Sequence, residues 1–454
     1  MPTVSLRLKD SGLTAKKVFC DIDNEYSKKY LLRLLDKSWI KSMICPELWY
    51  KINMIKREIE GHLERISYQY PVITLTGPRQ TGKTFLAKNY FKNKPYFNLE
   101  DLELREFALN DPKGFLGQMK DGGIIDEIQH VPELMSYIQV IVDKYRDKKA
   151  QFILTGSQQF ALMNSISQSL AGRTSVINLL PCSIQEIYNS KRTNEIKDFK
   201  TEINDKNFFI YYGFYPAIYK DKINPSHFYA DYVRTYLERD LNQLQQIQNI
   251  SLFRKFLRAC ASRVGQVLNK ESLGNDIGID ASTVERWLSV LETSYILFRL
   301  EPYFANINKR LIKSPKLYFY DVGLATYLLD IENQSQIDTH PLKGNLFENM
   351  IVMEFLKSRF NQGKNNNLNF YRDKTKEVDL IMREAAHFTA VEIKYAETIR
   401  SNLWESLDYV SKLFPKECNK KILVYGGAEE QNRTGLRVIP FNRAQILKNL
   451  SDDL

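Results

Sequence analysis

The sequence predicts an α/β protein: a parallel-sheet domain first, then a helical region, then a second and smaller α/β unit. Three observations carry this. Between Pro71 and about Ser190, short apolar runs (VITLT, PYFNLE, GGIID, QFILTG and VINL) alternate with helical patterns. A Gly-rich turn and a helix follow directly on the first run. From about Pro341 the alternation of helix and strand resumes.

Before the first strand, Ile55, Ile59, Leu63 and Ile66 line one face of an amphipathic helix, with Lys56, Arg57, Glu58 and Glu64 opposite. Residues 1–53 carry no motif and read as an N-terminal extension of unknown role, with Met54 as an alternative start. The parallel-sheet domain is expected over 54–190. The charged stretch Lys191 to Lys206 opens a linker and helical region over 191–250, rich in aromatic residues from Phe208 onward. Over 251–335 the order is helix, helix at Lys270 to Ile277, a turn at Gly278, a helix capped near Ser282, and two strand runs, YILF and KLYFY. That is the order of a winged helix-turn-helix. The last unit spans 336–454.

Composition narrows the setting. The 454 residues suit about two to four domains. Five scattered cysteines, Cys20, Cys45, Cys182, Cys260 and Cys418, form neither C-x-x-C pairs nor a cluster with histidine, which points away from a disulfide framework or zinc site and toward a reducing, cytoplasmic setting. There is no apolar run of about 18 residues, so no membrane partner is expected. A net charge of +10 fits an acidic partner such as DNA and equally fits solvated lysine-rich faces.

The turn after VITLT is Gly77-Pro78-Arg79-Gln80-Thr81-Gly82-Lys83-Thr84, a complete G-x-x-x-x-G-K-[ST] pattern between a strand and a helix. Such a loop cradles phosphates with its backbone N–H groups and the helix N-terminus. Lys83 neutralises the β- and γ-phosphates of ATP, and the Thr84 hydroxyl ligates Mg2+. Farther on, Gly123-Ile124-Ile125 ends in Asp126-Glu127. Adjacent carboxylates share a direction only where a strand is ending, which suits the carboxyl edge of a sheet; Asp126 is assigned to Mg2+ and Glu127 to the general base.

GPRQTGKT, GGIIDEIQ, LTGSQ and SLAGRT together resemble the bacterial and archaeal AAA-like P-loop ATPases that carry a C-terminal domain of unknown function. NKRLIKSPKLYFYDVGLA and GNLFENMIV extend the resemblance, which runs from Met54 to about Glu397. It implies ATP hydrolysis and a γ-phosphate sensor after QFILT, for which Ser157 is the first choice and Gln158 or Thr155 the rivals. It also makes Arg173 either an arginine finger or a plain surface arginine.

A second constellation lies in the last unit. Glu348 sits on a helix, Asp379 ends Glu377-Val378-Asp379, and Glu392 and Lys394 share one face of the next strand. The stretch resembles PD-(D/E)XK nucleases, although Val378 stands where the motif has proline. The pattern implies that Asp379 and Glu392 ligate Mg2+, that Lys394 orients water, and that Glu348 adds an outer ligand. In the winged region, Ser282, Thr283, Glu285 and Arg286 would meet bases, and Lys309, Arg310, Lys313 and Lys316 would meet phosphates. Three functions follow: an ATPase driving a DNA-binding and nuclease-like tail, an ATP switch that recruits a protein partner through a dead nuclease fold, or an ATP-gated nuclease. DNA or a protein stands as the partner, and oligomer formation is left open.

Overall fold

A computed structural model describes residues 55–156, 166, 168–192, 204–237, 249–303 and 314–443. Residues 1–53, Ser157, Gln158, Lys309, Arg310 and Lys313 lie outside them. Five parallel strands, β1 (Val72–Thr76), β2 (Tyr96–Asn98), β3 (Gly123–Asp126), β4 (Phe152–Thr155) and β5 (Thr174–Asn178), form a sheet in the order β2-β3-β4-β1-β5. Alternation along the strands separates two apolar layers. Val72, Ile125, Phe152 and Leu154 feed one, while Ile73, Leu75, Ile124 and Ile153 feed the other. Both faces are covered, as a parallel sheet requires, which is why its strands read as unbroken apolar runs. The predicted α/β class therefore holds.

The helix expected from Ile55 to Ile66 begins at Glu60 and runs to Ser67. Ile59, Leu63 and Ile66 pack on the second layer, at about 1.5–3 kcal/mol for each side chain buried.

The aromatic region forms helices Lys206–Tyr212, Pro216–Lys220 and Pro225–Tyr232, two of them capped by Asp205 and Asn224. Helices Ile250–Ala261, Lys270–Asn275 and Ala281–Thr293 follow, capped by Asn249, Asn269 and Asp280. An antiparallel pair, β6 (Leu297–Leu300) and β7 (Lys316–Phe319), closes this part, and a bridge at Val267 extends it on the β7 side.

The last unit opens with helix Lys343–Asn361. Strands β8 (Leu368–Arg372), β9 (Glu377–Glu384) and β10 (His387–Lys394) form an antiparallel meander. Helix Glu405–Leu413 then leads to β11 (Cys418–Tyr425), which lies parallel to β10, and β12 (Gln431–Arg433) and β13 (Leu436–Pro440) complete the order β12-β13-β11-β10-β9-β8. Among the described residues no helix is long and apolar enough to cross a membrane.

From residue 346 to 358 helix Lys343–Asn361 is buried on all its faces, Glu348, Glu354 and Lys357 included. Glu354, fully buried, accepts from the Ile184 N–H at 3.0 Å, and the Lys357 ammonium donates to Glu354 at 2.9 Å and to the Cys182 carbonyl at 2.9 Å. Removing one partner strands the other charge without water. Glu354→Ala is expected to cost about 3–5 kcal/mol in urea unfolding, and Glu354→Leu with Lys357→Leu much less; equal losses would show that burial of charge is not what the pair resolves.

Candidate functional site

The loop between β1 and helix Lys83–Tyr90 takes its shape from positive φ at Gly77 (137°), Gln80 (61°) and Gly82 (91°). At Gly77 a Cβ would lie 2.3 Å from the Leu179 carbonyl oxygen, so backbone packs there directly on backbone. The Thr81 hydroxyl donates to the Pro78 carbonyl at 2.9 Å. Lys83, only 6% exposed, folds over the loop and donates to the carbonyls of Gly77 and Pro78 at 2.9 and 2.7 Å.

Next to the loop, the Thr84 hydroxyl donates to Asp126 Oδ2 at 2.8 Å. Asp126 also accepts from the Tyr96 phenol at 2.7 Å and from the Thr155 hydroxyl, and burial followed by the bond to Asp126 pushes the phenol well above the usual tyrosine range. β3 ends at Asp126, and Glu127 turns off the strand at φ 54°, with its N–H donating to Thr155 Oγ1 at 3.3 Å. The Gln129 amide donates to the Glu127 carboxylate. The structure thus brings Lys83, Thr84, Asp126, Glu127 and Thr155 together.

Arg173 is not part of this group. It precedes β5, whose Thr174 pairs with Val72 at the start of β1, roughly 13 Å along the strand from the cradle. There it forms a two-pronged pair with Asp143, both bonds 2.8 Å.

Two supports of the loop escaped the sequence reading. Arg57 was placed on a solvent face, but only 7% of it is exposed. Its guanidinium donates to the Thr81 carbonyl at 2.8 Å, the Leu180 carbonyl at 2.6 Å and Glu186 at 3.1 Å. Burial works against that charge, but Glu186, with Cys182 and Glu58, outweighs it and holds the guanidinium above the ordinary arginine range. On the other side, the Tyr295 phenol, just ahead of β6, donates to Asn178 at 2.7 Å, one residue before the Leu179 that touches Gly77.

The second constellation also assembles, with an unforeseen member. Lys316, expected on phosphates, is instead 1% exposed, because Lys316 and Tyr318 share the face of β7 that meets helix Lys343–Asn361. Its ammonium lies 2.8 Å from Glu348, 2.5 Å from Glu377 and 3.9 Å from Asp379. Tyr318 donates to Glu348 at 2.5 Å. Lys394 lies 2.5 Å from Glu392 and 3.4 Å from Asp379, which accepts from the Ile393 N–H at 2.8 Å. Burial, opposed by Lys316, pushes Glu348 up to about 7; burial and repulsion from Asp379, opposed by Lys394, push Glu392 up to about 8. Among the described residues no group of three or more His, Cys, Asp or Glu side chains is disposed to hold a metal ion.

At the start of helix Ala281–Thr293, the hydroxyls of Ser282 and Thr283 are engaged by the cap Asp280, and Glu285 is paired with Arg299 at 2.8 Å and Lys270 at 3.4 Å. Arg286 is exposed and donates to Thr283 at 3.2 Å.

Residues 69–188 match the sequence family described as AAA domain, and residues 203–335 and 343–444 match two described as domain of unknown function, DUF8612 and DUF4143. An uncharacterized protein of Mycobacterium tuberculosis is 29% identical over 300 residues, covering 65% of this chain and 65% of its own. An uncharacterized protein of Methanocaldococcus jannaschii is 25% identical over 321 residues, covering 62% of this chain and 66% of its own. The chain thus spans just under two thirds of the length of these curated relatives. Among solved structures, the Walker-type ATPase PABY2304 of Pyrococcus abyssi aligns with 16% identity and a TM-score of 0.41, over 61% of this chain and 96% of that one. The sheet, the loop after β1, the acidic end of β3 and the AAA match together define an AAA-type P-loop ATPase fold, which implies nucleotide binding.

Because Arg57 holds the loop through charged hydrogen bonds worth about 1.5–3 kcal/mol each, Arg57→Met is expected to weaken binding of a fluorescent ATP analogue about tenfold or more. Unchanged affinity in a folded variant would remove Arg57 from the site.

Proposed function

We propose that this chain binds ATP with Mg2+ at Gly77–Thr84, hydrolyses it, and relays its nucleotide state to the C-terminal region as a switch. The observation that carries this is the meeting of Thr84 and Asp126 at 2.8 Å, with Glu127 turned off the strand beside them. A hydroxyl and a carboxylate are hard oxygen donors suited to Mg2+, which phosphates and water would complete. The bound ion would supply charge neutralisation at the phosphates.

The chain's own residues do the rest. The Lys83 ammonium exchanges the carbonyls of Gly77 and Pro78 for phosphate oxygens of ATP, at little cost because its position is already set. Glu127 takes a proton from the attacking water, aimed by Gln129. Thr155, bonded to Asp126 and to the N–H of Glu127, is the sensor best supported by contacts; Ser157 remains part of the proposal on sequence grounds alone.

Two connections suit the relay. Tyr295 ties Asn178 to the β6–β7 pair, and Arg57 ties Thr81 to Glu186, in the segment that Glu354 and Lys357 grip from helix Lys343–Asn361. A protein partner read by the C-terminal region is favoured over DNA, since Ser282, Thr283 and Glu285 are spent on internal bonds.

The DNA reading rests on the net charge of +10, on the three helices followed by a strand pair, and on the order of helix Lys343–Asn361, antiparallel β8-β9-β10, helix and parallel β11, which resembles a nuclease-like core carrying Asp379, Glu392 and Lys394. Absence of DNA binding in a low-salt gel shift would eliminate it.

Phosphate release decides the main reading. Lys83→Ala is expected to lose ATP binding, and Glu127→Gln to keep it while slowing release about 10²–10⁴-fold. Undiminished release in Glu127→Gln would overturn the assignment of the base.

A further inference from the structure

The carboxylates of the last unit converge from three elements: Glu348 from helix Lys343–Asn361, Glu377 and Asp379 from β9, and Glu392 from β10. A group of acids alone would say little. Glu392, however, is 4% exposed, and its Oε2 has no hydrogen-bond partner among the described residues, so this carboxylate retains an unanswered demand for a positive or donating group. Its other oxygen is already taken by Lys394.

The space between Glu348, Glu377 and Asp379 holds the Lys316 ammonium. That ammonium is delivered on a short tether. The backbone around Lys316 is clamped on the Val267 side, with the Leu268 N–H on the Pro315 carbonyl at 2.8 Å, the Leu317 N–H on the Gln266 carbonyl at 3.1 Å and the Gly265 N–H on the Leu317 carbonyl at 2.7 Å. Gly265 itself, at φ 70°, lays its backbone against Asn345 and Glu348; a Cβ there would come within 3.1 Å of the Asn345 amide. A divalent ion needs the same carboxylate oxygens at about 2.0–2.6 Å and cannot share them with a fixed ammonium. The arrangement present therefore does not fit a resident metal.

We propose that Lys316 is a built-in counter-cation: it occupies the cation position between Glu348, Glu377 and Asp379 and, with Lys394 on Glu392, closes the four-carboxylate cluster to divalent metal. The carboxylates are then a latch holding β7 and the helices before it on the last unit, and a metal enters only where the ammonium is absent. This goes beyond the ATPase reading and does not depend on it, because it concerns the nucleotide-free chain and a different set of residues.

The test is Mn2+ binding to the full nucleotide-free chain, followed by the loss of the free-ion electron paramagnetic resonance signal. Any Mn2+ near Thr84 and Asp126 is separated from this site by whether Asp379→Asn abolishes it. The wild type and Lys316→Arg are expected to hold no Mn2+ that depends on Asp379. Lys316→Met is expected to gain one Mn2+ per chain, lost again when Asp379→Asn is added, and to show a rise in its unfolding temperature on adding Mn2+ that the wild type does not. Wild-type binding that depends on Asp379, or no gain in a folded Lys316→Met, overturns the proposal. Should Lys316→Met not fold, amine acylation of the folded wild type, mapped by mass spectrometry, decides. Lys316 that resists acylation in the metal-free chain and in the presence of Mn2+ supports the proposal, and Lys316 acylated in either overturns it.

Discussion

A helix buried on every face has to find a partner for every polar group it carries, and much of this molecule is arranged around that demand. Helix Lys343–Asn361 places Glu348, Asn349, Glu354, Lys357 and Asn361 where little or no water reaches. Asn349 answers both backbone groups of Phe319 in β7, at 2.7 and 2.9 Å, as a neighbouring strand would. Glu354 and Lys357 answer the backbone at Ile184 and Cys182, and the Asn361 amide reaches Glu58 at 3.3 Å. Each contact fixes a different segment against the same rod, and none can slip without leaving a charge or an amide unsatisfied.

This explains how a nucleotide loop and a distant sheet come to share supports. The loop is backed on one side by Arg57 and on the other by Leu179, Asn178 and Tyr295. These groups belong to segments that the buried helix or the β6–β7 pair also holds. Under the proposed relay, a change at the phosphates would meet groups whose alternatives are few, which is the physical condition for two discrete arrangements rather than a graded response.

Most of the parallel sheet was legible because its strands are covered on both faces and read as apolar runs, and because a phosphate cradle needs glycine at fixed spacing. The turn at Glu127 was legible from two adjacent acids closing a strand. Charged residues whose partners lie far along the chain were not. Arg57 is 129 residues from Glu186, and nothing in the local pattern separates it from the solvated lysine beside it. Lys316 follows a basic run, so it read as a surface phosphate contact; the available signal was the period of two that puts it on the same face as Tyr318. Arg173 was placed by its order after the sensor segment, whereas its position is fixed by the start of β5 and by Asp143.

Arg57 carries a practical consequence for anyone dissecting the chain. The stretch that matches the AAA domain begins at residue 69, after Arg57 and after Ile59, Leu63 and Ile66. A fragment cut at that boundary would keep every residue of the nucleotide motif, yet it would lose the guanidinium behind Thr81 and uncover part of one layer of the sheet. Where similarity begins is not where the folding unit begins.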